Sequence, residues 1–361
     1  MARIGIDCRL WGVKHTGIGR YTQKLVEKLQ EIGDNTEYII FCRSEDEDDI
    51  KTSVGWKKVS ADIPHYTLGE QTSLVQIFLK ENLDLLHVPH FNVPIFYPKK
   101  FVITIHDILW HTKKGFDVTT LPPLTYLAKY AGYRLVVRNA ASRAKAIFVP
   151  SKSVAEEVTY RFPETKNKVH TTYEGVDPLP NGGKAQSGDY LLYVGSLYPH
   201  KNLQVVLIAL KDTNLKLKVV SARNVFHDKA KKLATSLGVE NKVEFLGQVT
   251  DKELGSLYAG AQAFVFPTLS EGFGLPGLEA MQAGCPVVCS DIPVLHEIYG
   301  NAALYFDPNK ASSLTTTLNK LFKSSTLEGE LEKYGKAQLK KYSWEKMAKE
   351  TLKVYREVLG K

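Results

Sequence analysis

Short apolar, strand-like runs alternate with helical segments along the whole chain, and this alternation restricts the fold more than any other feature. "ARIGIDCRL" passes through a glycine-containing turn into "GRYTQKLVEKLQEIG", where apolar residues recur at helical spacing up to a terminal glycine. "EYIIFCR", "LDLLHVP", "KKFVITIHD" and "AKAIFVPS" read as further strands, each followed by a loop or helix. The pattern restarts with "DYLLYVGS", "LKLKVVSA", "KVEFLGQ", "QAFVFPT", "CPVVCSD" and "AALYFDP". Repeated βα units build parallel, doubly wound sheets with helices on both faces. Between the two series lies "EGVDPLPNGGKAQSGD", rich in Pro, Gly and Ser, which reads as a linker. The expected architecture is α/β, with two Rossmann-like domains facing each other across a cleft. "EDEDD" at Glu45 to Asp49 reads as a solvated loop.

Composition narrows the class. A chain of 361 residues, 43% of them hydrophobic, can bury a core large enough for two domains. No apolar run is long enough to cross a bilayer, and "MARIGIDCRL" lacks the apolar stretch of a signal peptide, so a cytoplasmic protein is expected. Cys8, Cys42, Cys285 and Cys289 lie in or beside apolar runs without a framework spacing, as buried free thiols would. The formal charge of +8 suits an anionic partner: a phosphorylated ligand, a membrane surface or nucleic acid. No nucleic-acid module is present, so no nucleic acid is expected.

Ligands in such sheets gather at the carboxyl ends of strands. The residues there are Gly17 to Gly19, His106–Asp107, Ser196 to Lys201 and Glu271 to Glu279. In "TLSEGFGLPGLEAMQAGCPVVCSD", Gly272, Gly274 and Gly277 have the G-x-G-x-x-G spacing of a dinucleotide turn, with Asp291 some way beyond. However, Thr268 to Glu271 separate the strand from the first glycine, and Glu271 and Glu279 bracket the motif. Pro276 suits a helix start, so Gly272 to Leu275 approach a helix N-terminus, where N–H groups and the dipole cradle an anion. Glu279 lies one turn into that helix and leans back toward its start. Carboxylates accept hydrogen bonds from hydroxyls, which makes sugar rings their natural targets. A nicotinamide site and a purely structural pair of carboxylates both stand as rival readings at this point.

Lys201, in "VGSLYPHKNL", offers a compact charge to a diphosphate, with Ser196 and Gly195 nearby; a solvated lysine is the alternative. His106 ends a strand and can donate to a sugar hydroxyl or a phosphate, with Asp107 fixing its orientation; a structural histidine is the alternative. Gly17, Ile18 and Gly19 form a turn that lets backbone approach a ligand, with Arg20 opening the helix. His87, His90, His106 and His111 are spread over separate strands and loops without close ligand spacing, so no metal is expected. Between Asp117 and Glu156 stand Lys129, Arg134, Arg138, Arg143, Lys145 and Lys152 with no acid, interleaved with Tyr126, Tyr130 and Tyr133. This segment is either a contact for an anionic membrane or an acidic acceptor, or an ordinary solvated helix.

At this point a resemblance enters. "FPTLSEGFGLPGLEAMQAGCPVVCSDIPVLHEI", "GNAALYFDP" and "YSWEKMAKETLKVYREVL" resemble the retaining GT-B glycosyltransferases of the family 4 or group 1 type, which include sucrose synthases and lipopolysaccharide and phosphoinositol mannosyltransferases. The likeness runs through nearly the whole chain and is strongest from Leu191 to Asp307. It implies an acceptor domain over 1–178, a nucleotide-sugar donor domain over 179–340, and a final helix, 341–361, returning to the first domain. It assigns Glu271 to donor-sugar hydroxyls, Glu279 to the ribose, and Gly272, Phe273, Gly274 and Leu275 to the backbone cradle. Lys201 falls on the diphosphate, with Ser196 beside it. His106 falls beside the transferred sugar, Gly17 and Ile18 in the loop over the phosphates, and Val249 in the base-binding loop.

One departure stands out. Many relatives carry arginine where Ser196 or His200 stands here, so the second leaving-group cation is open, with His200 and Arg20 as substitutes. The resemblance implies transfer of a sugar, with GDP-mannose suggested by "HVPHFNVP" and "TIHD", to a glycan or lipid-linked hydroxyl. It implies no cofactor and no metal. Acceptor loops are expected at His87 to Phe96 and Trp110 to Thr120. The alternative is a nucleotide-sugar epimerase of the same architecture; a two-carboxylate glycosidase, a dehydrogenase and a non-catalytic binder are more distant.

Overall fold

The computed structural model describes residues 1–109, 122–180, 188–221 and 226–361. The acceptor loop expected at Trp110 to Thr120, with His111, lies outside the described residues, as does the middle of the expected linker at 181–187. The chain forms two compact units, Met1–Gly175 with Ser343–Lys361, and Val176–Tyr342.

Among the described residues the first unit holds seven strands: β1 (Ala2–Asp7), β2 (Thr36–Cys42), β3 (Trp56–Ser60), β4 (Leu85–Val88), β5 (Phe101–Thr104), β6 (Ile147–Val149) and β7 (Val169–Thr171). Their order is β3-β2-β1-β4-β5-β6-β7, and the pairings are parallel. The second unit holds β8 (Tyr190–Val194), β9 (Lys216–Val220), β10 (Val243–Gly247), β11 (Ala263–Phe266), β12 (Val287–Ser290) and β13 (Ala303–Phe306), in the order β10-β9-β8-β11-β12-β13, again parallel. Both are doubly wound sheets, as the βα alternation requires. Counted within each sheet, the order 3-2-1-4-5-6 reverses beside the first strand. That reversal is the switch point where open α/β sheets bind ligands: β1/β4 in one unit and β8/β11 in the other.

The central strands are apolar throughout because helices cover both faces. Ile4, Ile6, Leu85, Leu86, Val102 and Ile103 are fully buried in the first unit, as are Leu192, Val265, Val287 and Val288 in the second. β3 and β7 carry no clear strand signal in the sequence. Both lie at sheet edges, where "WKKVS" is part exposed and "VHT" is only half buried, so neither shows the continuous apolar run of a central strand. Two expectations need correction. Gly17, Ile18 and Gly19 are not a turn before the first helix but its first residues, since the helix runs Thr16–Ile32. Gly19 is required there, because a Cβ would lie 2.0 Å from the Gly12 carbonyl oxygen. "EDEDD" is not wholly solvated either: Asp46 is buried and accepts a 2.5 Å ion pair from Lys14. All four cysteines are buried and free.

The C-terminal helix Trp344–Leu359 belongs to the first unit and is tied into its polar interior. Tyr355 Oη is 2.5 Å from His87 Nδ1, His87 Nε2 is 2.9 Å from Thr104 Oγ1, and Thr104 Oγ1 is 3.1 Å from Tyr21 Oη. Burial, with His106 adding to it, pushes His87 down to about 3, so this link stays neutral. Gly175 completes the docking, since a Cβ there would sit 2.2 Å from the Trp344 amide nitrogen. Among the described residues no helix is long and apolar enough to cross a membrane.

Candidate active site

In the second unit, two loops leave the adjacent strands β8 and β11. The loop after β8 carries Ser196 and Lys201, and the loop after β11 carries Glu271 and the glycines. They are joined by backbone and side chain. Leu269 N–H donates to the His200 carbonyl at 2.7 Å. Tyr193 Oη donates to Ser196 O at 2.6 Å and fixes the turn. Lys201 Nζ then meets Glu271 Oε2 at 2.5 Å, with both side chains only 19% exposed. The ammonium also lies 5.9 Å from the Phe266 ring centre. Held this close, each side chain limits the other's rotamers.

Asn202 was not singled out from sequence, yet it locks this geometry. It is buried, adopts a left-handed conformation (φ 55), and donates through Nδ2 to the carbonyls of Pro267 and Pro308 at 3.1 and 2.8 Å. Asparagine is one of the few residues that tolerate this backbone, and its side-chain amide has two protons for two carbonyls. An Asn directly after the candidate lysine and ahead of helix Leu203–Ala209 was the available signal.

The helix after the glycines runs Leu275–Gln282 with Gly274 as N-cap, so Leu275 is its first residue rather than part of the approach. Gly274 has φ 99, and Tyr299 Oη donates to its carbonyl at 2.5 Å. A Cβ on Gly277 would lie 2.3 Å from the Tyr299 ring. The motif's last glycine therefore serves packing, and a buried tyrosine props the cradle from behind. Gly272 and Phe273 are buried in the same loop, with Phe273 edge-on to Tyr342. Glu279 is 5% exposed and accepts from Tyr258 Oη at 3.3 Å. Burial and that carboxylate raise the Tyr258 phenol well above its ordinary value, so it remains a donor. Val249 follows β10, with β9 and β8 between it and β11, so the structure does not bring it beside Glu271. Asp291 pairs with His296 at 2.7 Å, an arrangement that leaves the dinucleotide reading without its ribose acid.

In the first unit, His106 follows β5. Its Nε2 is 3.1 Å from the Pro89 carbonyl, its Nδ1 is 3.5 Å from Glu174 Oε1, and the Tyr21 ring meets it edge-on at 4.8 Å. Tyr21 belongs to the helix that begins at Thr16, so Gly17 and Ile18 share an element with a residue touching His106. A Cβ on Gly17 would meet no atom within 4 Å. Glu174, 5% exposed, was missed because it lies in the stretch read as linker. Asp107, expected to orient His106, instead accepts the Leu109 N–H at 3.0 Å. His87 is bonded to Tyr355 and Thr104 and not to a fellow histidine. Among the described residues no group of three His, Cys, Asp or Glu side chains is arranged to hold a metal ion.

The family model described as "Glycosyltransferase Family 4" matches residues 15–178, and that described as "Glycosyl transferases group 1" matches 180–338. An O-antigen chain mannosyltransferase, RfbU, of Salmonella typhimurium is 27% identical over 86% of this chain and 88% of its own. O-antigen chain mannosyltransferase B of Escherichia coli is 28% identical over 94% of this chain and 96% of its own. Among solved structures, the sucrose-phosphate synthase of Thermosynechococcus elongatus superposes with a TM-score of 0.79 at 18% identity, covering both chains fully. WaaG, a glycosyltransferase of lipopolysaccharide biosynthesis, gives 0.74 at 18% identity, again over both chains. With one model on each half and the fold of these transferases throughout, the chain belongs to the group 1, family 4 glycosyltransferases of the GT-B fold.

Proposed function

We propose that the protein is a retaining mannosyltransferase that moves mannose from GDP-mannose to a hydroxyl of a glycan or lipid-linked acceptor during assembly of a surface polysaccharide. The observation that carries this reading is the Lys201–Glu271 pair at the β8/β11 switch point, set before the helix that Gly274 caps. It combines a cation for a departing diphosphate with a carboxylate for sugar hydroxyls. The mannosyl donor is supported by the two O-antigen mannosyltransferases, each similar over most of its length.

Retention requires a glycosyl-cation-like transition state and a stabilised leaving group. Lys201 and the helix N-terminus supply that stabilisation electrostatically. The departing phosphate oxygen takes the acceptor proton on the same face, so the reaction uses no dedicated protein base. His106 keeps the role beside the transferred sugar that the resemblance gives it, Glu279 the ribose, and Val249 the base. In this scheme protein cations and dipoles act without a metal.

The test is donor hydrolysis without acceptor, run over a panel of nucleotide sugars. GDP-mannose is expected to be hydrolysed, with mannose released first as the α anomer by NMR and the rate unchanged by EDTA. Thermal stabilisation by UDP and not by GDP sinks the donor assignment, and an epimerised donor points to the isomerase class.

The basic segment is proposed to rest on an anionic membrane face from the cytoplasmic side. In helix Pro123–Arg143, Lys129, Arg134 and Arg138 are exposed beside Leu124, Leu127 and Leu135, which are 82, 53 and 61% exposed. Arg143 is not part of this face, because it donates to the carbonyls of Ile95 and Tyr97. Flotation with phosphatidylglycerol vesicles is expected, and is expected to weaken with salt. Equal behaviour with phosphatidylcholine vesicles removes the proposal.

A further inference from the structure

At the carboxyl end of the first unit's sheet, one exposed ring is held in place by a charged network that is itself out of water. Tyr66 is 61% exposed and has φ 62, the left-handed region that bulky side chains rarely occupy. Such backbone persists only when its surroundings over-determine it, and it gathers at ligand-binding positions. Here the surroundings are explicit. The Tyr66 N–H donates to Glu70 Oε2 at 2.6 Å. Glu70, 1% exposed, accepts from Arg9 Nη2 at 3.0 Å and from Asn92 Nδ2 at 2.7 Å. Arg9, fully buried, is bound in turn by Asp7 through Nε and Nη2 at 2.9 and 2.8 Å, and donates to the Ile63 carbonyl at 2.9 Å. The network thus joins the ends of β1 and β4, the switch point of this sheet, to the loop that carries Tyr66.

The side chains around that ring have a consistent chemistry. His90, 8% exposed, packs edge-on to Tyr66 at 6.4 Å and lies against Phe91 at 3.9 Å. Its Nδ1 is withdrawn from solvent and has no hydrogen-bond partner among the described residues. Burial pushes this histidine down to about 3, so it is neutral. Partial withdrawal of the Tyr66 hydroxyl from water, with the Glu70 and Asp107 carboxylates adding to it, pushes the phenol up to about 12, so it remains a donor. Among the described residues, the carboxylates of Asp7, Glu70 and Asp107 act on Tyr66 and His90 against the guanidinium of Arg9, a balance that disfavours an anion. An open aromatic face with neutral donors and acceptors beside it suits a neutral pyranose, whose C–H face packs on the ring and whose hydroxyls reach the polar groups.

We infer that Tyr66 is the stacking platform for the acceptor sugar, the Arg9–Glu70–Asn92 network being what presents the ring. This rests on the transferase reading above and names the acceptor as a neutral sugar residue rather than a bare lipid phosphate.

The test uses the full chain and four probes, the methyl glycosides of mannose, glucose, galactose and N-acetylglucosamine, read by saturation-transfer NMR and titration. At least one probe is expected to bind. Tyr66→Ala is expected to weaken that binding roughly tenfold, and Tyr66→Phe, which keeps the ring, to stay close to the unsubstituted protein. Tyr66→Gly relieves the backbone, so its melting temperature should hold or rise while the sugar is still lost. A purely structural role would move stability and binding together. Binding by Tyr66→Ala equal to that of the unsubstituted chain, or no binding of any probe, overturns the inference. Donor hydrolysis by the unsubstituted protein reads the transferase assignment separately, so either can fail alone.

Discussion

Glu271→Gln is expected to abolish most sugar transfer, by a hundredfold or more in kcat, while GDP affinity changes little; Glu279→Ala is expected to weaken GDP binding ten- to a hundredfold. The two carboxylates bracket one loop, yet their surroundings differ. Glu271 is 2.5 Å from Lys201, and both are part exposed at the strand-end rim, where the transferred sugar is assigned. Glu279 is withdrawn beneath, beside Tyr258, where the ribose is assigned. A hydrogen bond to a charged group contributes about 1.5–3 kcal/mol, which sets the tenfold to hundredfold range for Glu279. Glu271 has the larger effect because it both meets the transferred sugar and fixes the position of Lys201, so a neutral amide there weakens sugar contact and the alignment of the cation in the transition state together. Lys201→Ala combined with Glu271→Gln should therefore be little worse than the poorer single variant, as expected for residues acting as a unit. Isothermal titration with GDP and single-turnover transfer separate these effects. Near-normal transfer in Glu271→Gln, or additive losses in the double variant, would refute the assignment.

The parts of the molecule visible in the sequence are those whose signal is local. Central strands such as "LLYV" and "FVF" announce themselves because burial on both faces makes every position apolar. The carboxylates around the glycines were legible because helix periodicity fixes where Glu279 stands relative to Gly274. What was not legible depends on residues far apart in the chain. Tyr299 props Gly274 across 25 residues, Asn202 reaches Pro308 across 106, and Tyr355 meets His87 across 268. The short edge strand β7 escaped notice because half-buried positions carry no apolar run. Gly17 to Gly19 were misplaced because paired glycines signal a turn, whereas here Gly19 is dictated by the nearby Gly12 carbonyl. The same limit hid the network around Arg9: Asp7 and Arg9 are neighbours, but Glu70 and Asn92 join them only through the sheet.

That network supports the largest expected effect on stability. Arg9→Leu should destabilise the first unit by about 3–5 kcal/mol, because removing one member of a buried ion cluster leaves the others uncompensated. Among the described residues Arg9 is the only cation ion-paired to Asp7 and Glu70, which are 5 and 1% exposed. In the native protein, burial alone would raise the Asp7 carboxyl, but the charge and hydrogen bonds of Arg9 outweigh it and hold it below its ordinary value. Glu70 is left above its ordinary value, burial prevailing over Arg9, Asn92 and the Tyr66 N–H. The two therefore act oppositely. Asp7 adds stability above its unfolded pKa of about 3.9, lost as pH falls through the folded value, whereas Glu70 opposes folding where it must ionise. Without Arg9, both folded carboxyls rise above their unfolded values. The penalty is then full at neutral pH and shrinks as acid protonates them. Calorimetry should show the first unit's transition falling by roughly ten degrees at pH 7.5, with a clearly smaller gap from the native protein at pH 5. An equal gap at both pH values would mean that lost packing around the guanidinium, and not its charge, accounts for the instability.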